Sequence, residues 1–314
     1  RKKKRVRLMK YVSGVAAVLL VGVVLWGLME KEEKMPVRQV LLSSVSKGKM
    51  EPFATLVTTA GKVVYLEDSV KQESLKMGGN KETLKPQESE RDVQSVPEQE
   101  VEYNVLTTSK QGNIKVVLYD GSLVWLNAGS ELRYPNTFVE NQRVVYLKGE
   151  AYFDVAKDHG HPFVVKTEEV EVKVLGTVFN VNAYPEGEWV RTTLVEGKVE
   201  AVCGGRLFVM EPGMQVAYSK GTGETEYKKV DTHLFTSWKD GYYEFEEMEL
   251  GELMPLLGRW YAVGVDFEEP ELKRLKFSGR LQRYETVADL VKMLEYTGDV
   301  VFEVKNDRIL VRKR

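Results

Sequence analysis

The hydrophobic and polar positions divide the chain into three regimes. Tyr11 to Met29 (YVSGVAAVLLVGVVLWGLM) is nineteen residues without a charge. As a helix it spans about 28 Å, close to the roughly 30 Å hydrocarbon core of a bilayer. From Tyr103 to Tyr218, apolar and polar residues alternate in short runs broken by glycine, the pattern of half-buried strands. KVVLYDGSLVWLN places Asp120-Gly121 between two such runs and reads as a hairpin. RVVYLKGEAYFDV, TTLVEGKVEAV and RLFVMEPGMQVAY read as the same device around Gly149, Gly197 and Pro212-Gly213. No stretch here keeps a helical period over ten residues, so the expected fold is all-β: a hairpin stack, a sandwich or a solenoid-like array.

Beyond residue 230 the period changes. Leu250, Leu253, Met254, Leu257, Trp260 and Tyr261 recur at helical spacing, between the strand candidates GYYEFEEM and AVGVDFEE. Pro255 falls inside that run, where it belongs to a first turn or bends the helix. Thr286 with Asp289 three residues on forms a capping box for a second helix. Its stripe is Val287, Leu290, Val291 and Leu294, and Thr297-Gly298 ends it. VVFEV and RILVR close as a hairpin around Asn306-Asp307. This end is expected to be a small α+β module, β-α-β repeated twice.

Charge adds a direction to the first regime. The chain as a whole is balanced, 45 basic against 47 acidic residues, so nothing pulls it toward nucleic acid. Yet RKKKRVRLMK, before the apolar run, carries seven basic residues and no acid, while EKEEK follows it. Excess Lys and Arg marks the cytoplasmic side. The expectation is a single-pass inner-membrane protein with its N-terminus in the cytoplasm and its bulk in the periplasm. The apolar run is longer than a signal peptide's, and GLMEKEEKMP offers no small-x-small cleavage site. The chain opens on Arg instead of Met, so further cytoplasmic sequence is expected upstream.

Composition divides the rest. Glu67 to Glu102 has no aromatic residue and is rich in Lys, Glu, Gln and Ser, which reads as a mobile insertion. It separates LVTTAGKVVYLEDS from VLTTSKQGNIKVVLYDGS, two strings similar enough to suggest a repeat. The expected organisation is a basic stub (1–10), a membrane helix (11–29), a juxtamembrane segment (30–54), an all-β domain (55–230) holding the 67–102 insertion, and an α+β domain (231–314).

Conventional catalysis leaves no signature: there is no G-x-S-x-G, P-loop or G-x-G-x-x-G, and no cofactor is expected. His159-Gly160-His161, with Glu150 upstream, hints at a metal, but His233 is far away and a polar turn is the better reading. Carboxylate pairs such as Glu246-Glu247 and Glu268-Glu269 read as solvated edges. The lone Cys203 excludes an intramolecular disulfide. One stretch stands out: VEVKVLGTVFNVNAY (170–184) reads as a strand interrupted by Gly176-Thr177. A Thr hydroxyl can attack the preceding carbonyl when the peptide is strained, turning amide into ester, and glycine leaves that carbonyl open. A β-bulge is the plainer account, and Gly221-Thr222 repeats the dipeptide in a loop.

DGSLVWLNAGSELRYPNTF, RVVYLKGEAYFDVAK, HPFVV, VEVKVLGTVFNVNAYP and TTLVEGKVEA, in this order, resemble the periplasmic domain of FecR-type anti-sigma factors of the Bacteroides-like form. WKDGYYEFEEMELGELMPLLGRWYAVGVDFEE and FSGRLQRYETVADLVKMLEYTG resemble the family's C-terminal module, which is similar to the short N-terminal domain of secretins and TonB-dependent receptors. The resemblance implies a relay: an outer-membrane TonB-dependent receptor contacts the periplasmic part and an extracytoplasmic-function sigma factor is controlled inside. It also implies a cytoplasmic sigma-binding domain, missing before residue 1, and a membrane protease that can release it. Several members cut themselves in an LGT-x-F motif, here Leu175 to Phe179, with Gly176-Thr177 as the bond. Trp260 and Tyr261 are the expected receptor-facing anchors. A different class remains: a membrane-anchored glycan-binding or glycan-modifying β-protein, with YPNTF, Trp125 and Tyr184 as an aromatic platform.

Overall fold

The computed structural model describes residues 53–59, 62–66, 75–76, 103–138, 141–283, 286–297, 300–305 and 307–314. The expected stub and membrane helix, and most of the 67–102 insertion, lie outside them. Among the described residues no helix is long and apolar enough to cross a membrane.

Among the described residues sixteen strands precede residue 230. In chain order they are β1 (Ala54–Val57), β2 (Val63–Leu66), β3 (Leu75–Lys76), β4 (Tyr103–Thr108), β5 (Ile114–Val117), β6 (Leu123–Leu126), β7 (Glu131–Pro135) and β8 (Arg143–Asp154). Then come β9 (Phe163–Lys166), β10 (Val170–Val174), β11 (Val178–Ala183), β12 (Trp189–Glu196), β13 (Val199–Cys203), β14 (Arg206–Met210), β15 (Met214–Ser219) and β16 (Thr225–Lys229). They form two layers that share β8. Its first half pairs with β7 and, in parallel, with β9; its second half pairs with β6 and β11. One layer therefore runs β14-β13-β10-β9-β8-β7-β4-β1-β2 and the other β3-β5-β6-β8-β11-β12-β15-β16.

Alternation along the strands fills the space between the layers. Val145, Leu147, Phe153, Phe163, Val172, Phe179, Val181 and Leu194 are among the buried residues of this core, with Phe153 stacked on Phe179 at 5.1 Å. Two sheet layers closed over a shared core of this kind make a sandwich. β8 changes layers at Gly149, where a side chain would meet Ser130, its Cα 2.7 Å away.

The glycine devices differ from their expected role. Asp120-Gly121 does close a hairpin, β5 against β6, with Asp120 accepting from the Ser122 amide and hydroxyl. RVVYLKGEAYFDV, by contrast, is one strand passing between layers. At Gly197 and Gly213 the chain leaves one layer for the other, so β12–β13 and β14–β15 are arches. Glycine signals a reversal of direction, and nothing local says which strand is then met. The suggested repeat also dissolves: β1 and β2 are a hairpin in one layer, whereas β4 and β5 belong to different layers. Within the expected insertion, Leu75–Lys76 pairs in parallel with Val116–Val117.

The C-terminal part begins with α1 (His233–Thr236) and a 3-10 turn (Ser237–Asp240). It continues with β17 (Tyr242–Glu249), α2 (Leu250–Tyr261), β18 (Gly264–Phe267), β19 (Lys276–Gln282), α3 (Val287–Thr297), β20 (Val300–Lys305) and β21 (Arg308–Lys313). β17 pairs with β19; β21 lies between β18, its parallel partner, and β20. The capping box is present, with the Asp289 amide donating to Thr286 Oγ1. Pro255 sits inside α2, where it forgoes one helical hydrogen bond. A second core lies here, and Ala128 and Tyr152 of the sandwich are part of it.

Candidate functional site

Gly176 and Thr177 lie where β10 ends in one layer and β11 begins in the other. The interrupted strand is thus two strands joined by a three-residue arch. The Asp158 amide donates to the Leu175 carbonyl (2.8 Å), and the Val155 amide donates to the Thr177 carbonyl (3.1 Å). These bonds pin the peptide on both sides of Gly176, whose φ is +150°. A side chain at 176 would meet Lys157 Cα at 2.7 Å, so this position admits only glycine. Thr177 is buried, 4% exposed. Its hydroxyl donates to the Lys198 carbonyl at 2.9 Å and receives the Lys198 amide at 3.4 Å. β11 also slips register against β12 between Val178 and Phe179, so the bulge is real and adjoins the arch.

The second Gly-Thr pair lacks these features. A Cβ on Gly221 would meet nothing within 4 Å, and Thr222 is exposed in a turn, accepting from the Glu224 amide. Only the pair at 176–177 combines burial, a pinned backbone and an oriented hydroxyl.

Of the aromatic pair expected to face a receptor, Trp260 is buried and Tyr261 partly so. Trp260 is 3% exposed and packs edge-on to Tyr243 at 5.7 Å. Tyr261 is partly buried, and its carbonyl accepts from Gln111 Nε2. Their helix is amphipathic, and the apolar stripe goes into the second core.

Around that helix lies a junction that the sequence reading did not single out. Glu150, the residue after the layer change, is 4% exposed. Asn127 Nδ2 donates to one carboxylate oxygen (2.8 Å) and Asn180 Nδ2 to the other (3.0 Å). Both amides are fixed by second bonds: Asn127 Oδ1 accepts from the Ala128 amide, and Asn180 Oδ1 accepts from Trp238 Nε1 (3.2 Å). Burial pushes the Glu150 carboxyl above its ordinary range; the Asn180 and Asn127 donors, Arg259 and Asn182 oppose it. Arg259 lies over the Tyr184 ring at 3.7 Å and pairs with Glu186, and Arg191 pairs with Glu252. The one available signal was polar residues alternating outward in LKGEAYFDV and VFNVNAY.

The remaining candidates have structural roles. Asp158 accepts from the Gly160 and His161 amides and pairs with the His161 ring, holding the turn. His233 bonds Tyr242 and Glu244. Among the described residues no group of three His, Cys, Asp or Glu side chains could hold a metal. Cys203 is buried, its thiol pushed up to about 11 by burial. Of the aromatic platform, Tyr134 and Tyr184 are buried, and Trp125 packs on Tyr152 beneath Lys115.

Comparison with known proteins assigns two stretches of the chain. Residues 104–200 match the FecR protein family and residues 242–311 match the FecR C-terminal family. The chain is similar to two crystal structures from Parabacteroides distasonis ATCC 8503, each of a candidate anti-sigma factor, at 1.65 and 2.50 Å resolution. The first is 28% identical with a TM-score of 0.64, over 67% of this chain and 99% of the other. The second is 29% identical with a TM-score of 0.64, over 68% and 99%. No curated protein sequence matches the chain at a comparable level. With the FecR domain and the FecR C-terminal domain present in order, on a fold shared with those structures, the chain belongs to the FecR family.

Proposed function

We propose that this protein is an anti-sigma factor, or sigma regulator, that relays ligand occupancy of an outer-membrane TonB-dependent receptor to an extracytoplasmic-function sigma factor. The observation that carries the reading is the pairing of a FecR domain with its C-terminal domain on a fold shared with candidate anti-sigma factors. The basic decamer and nineteen-residue apolar run support an inner-membrane anchor with the N-terminus inside. On this reading sigma is reached by a cytoplasmic domain that a membrane protease releases. The division falls at about residue 230, with 55–230 as the transmitting sandwich and 231–314 as the receptor-facing domain.

Self-cleavage at Gly176-Thr177 is part of this reading, supported by the pinned backbone and the oriented hydroxyl. For the receptor contact, Trp260 is buried and Tyr261 partly so, while other apolar residues of the C-terminal module are at its surface. Met293 and Tyr296 on α3 and Val301 on β20 are exposed, Tyr296 at 89%, and β20 is an edge strand of its sheet among the described residues. An exposed edge with apolar neighbours suits addition of a partner strand.

The test is a binding titration of the membrane-free chain with soluble receptor signalling domains and, separately, with oligosaccharides. Saturable binding of one signalling domain is expected. Binding of oligosaccharide alone replaces the reading with the glycan-binding one.

A further inference from the structure

We propose that Gly197 is a positioning residue for the Gly176-Thr177 bond, keeping clear the one side of the peptide from which the threonine hydroxyl reacts. The inference rests on the self-cleavage reading above and extends it to a residue outside the dipeptide.

The geometry is local. Gly197 lies in the arch between β12 and β13, with φ +95°. A Cβ built there would sit 2.9 Å from Thr177 Oγ1, 3.2 Å from the Gly176 carbonyl oxygen and 3.2 Å from Thr177 Cα. Gly197 thus faces both oxygens that take part in the reaction: the nucleophile and the carbonyl oxygen that becomes the oxyanion. Lys157 crowds the Gly176 α-carbon, its own Cα 2.7 Å from where a Cβ there would sit. The next residue, Lys198, supplies the main-chain carbonyl and amide that bracket the hydroxyl. Clearance from 197 and orientation from 198 come from consecutive residues of one arch.

The step balances without a co-reactant other than water. Thr177 Oγ1 bonds to the Gly176 carbonyl carbon, the carbon–nitrogen bond breaks, and the hydroxyl proton ends on the Thr177 nitrogen. The product is an ester with a free amine. Water then cleaves the ester, leaving a carboxylate on Gly176 and restoring the hydroxyl of Thr177. A methyl group at 197 displaces one or both reacting oxygens, and a shift of about 1 Å in such a geometry can cost about a hundredfold in rate.

Strain and obstruction separate because the fold contains a matched control. Gly121 has φ +85°, and a Cβ there would meet nothing within 4 Å. Gly121→Ala and Gly197→Ala therefore impose similar backbone strain, and only the second obstructs the bond. The experiment is cell-free pulse labelling of the full chain in lipid nanodiscs, with the cut fraction followed on denaturing gels and the fold checked by protease resistance. Wild type and Gly121→Ala should cut alike, Thr177→Ala not at all, and Gly197→Ala about a hundredfold more slowly. Hydroxylamine, which intercepts an ester, should accelerate wild type and leave Gly197→Ala slow, because forming the ester is the step the methyl group slows. Cutting of Gly197→Ala at the wild-type rate overturns this inference and leaves the self-cleavage reading standing. An uncut wild type overturns both. If Gly197→Ala is protease-sensitive, α-hydroxyvaline in place of Val199 weakens the Lys198 carbonyl as an acceptor without adding an atom at 197. Slowed cutting then supports the account and wild-type cutting overturns it.

Discussion

Trp238 donates its indole N–H to Asn180 Oδ1 across the junction between the C-terminal module and the sandwich. Trp238 is fully buried, and Asn180 belongs to β11, the strand that starts directly after the Gly176-Thr177 bond. The C-terminal module therefore grips the strand that self-cleavage would turn into a new chain terminus. On the proposed relay, a pull on the module would reach β11 through this bond and the apolar contacts around it.

Trp238→Ala should loosen that grip. Truncating a fully buried tryptophan costs about 3–5 kcal/mol, so urea unfolding should shift accordingly. Limited proteolysis should then cut near the 230–241 connection while the sandwich stays intact. Equal protease resistance of variant and wild type would contradict the proposed grip.

Glu150 gives the junction a pH dependence. Its carboxyl lies above the ordinary value of 4.5, chiefly through burial. The native state therefore holds the proton more tightly than the unfolded chain, and the associated stability is complete below the unfolded pKa. It is lost as pH rises through the native pKa. Facing the carboxyl are Asn127, Asn180, Asn182 and Arg259, with Tyr184 and Tyr243 close enough to feel its charge. Glu150→Gln cannot titrate. Urea unfolding from acid to mildly alkaline pH should show wild type losing stability relative to the variant as pH rises; parallel curves would contradict the assignment.

Cleavage at Gly176-Thr177 should not separate the products. The fragments would meet at two seams, six paired positions between β8 and β11 and four between β10 and β13. They would also share the core of the sandwich. A cut chain should elute as one species in native size exclusion and give two masses in denaturant. Two native peaks would contradict the interleaved topology.

Much of this was legible in the sequence. Period-two alternation identified the strands, Asp120-Gly121 a hairpin, and Thr286 with Asp289 a helix start, because each signal is local. Layer changes at Gly149, Gly197 and Gly213 were not legible, since a glycine reports backbone freedom and the partner strand is chosen by the global packing. The burial of Trp260 was not legible because an apolar stripe reads the same whether it covers a core or awaits a partner. The burial of Glu150 was hidden for the opposite reason: a charged residue in a strand reads as solvent-facing until another module covers it.

Tyr296→Ala should leave stability within about 0.5 kcal/mol, as expected of an exposed side chain. It should weaken binding of the receptor's signalling domain by at least about tenfold if the tyrosine anchors that contact. Unchanged affinity in a calorimetric titration would place the contact elsewhere.

The most direct test of the account is the transcriptome of cells lacking this protein, compared with wild type and with a complemented strain, under changing nutrient supply. The account predicts that one set of genes served by a single extracytoplasmic-function sigma factor loses its response to one nutrient, and that the intact chain restores it. An unchanged response in every such gene set would contradict the assignment of this protein as a sigma regulator.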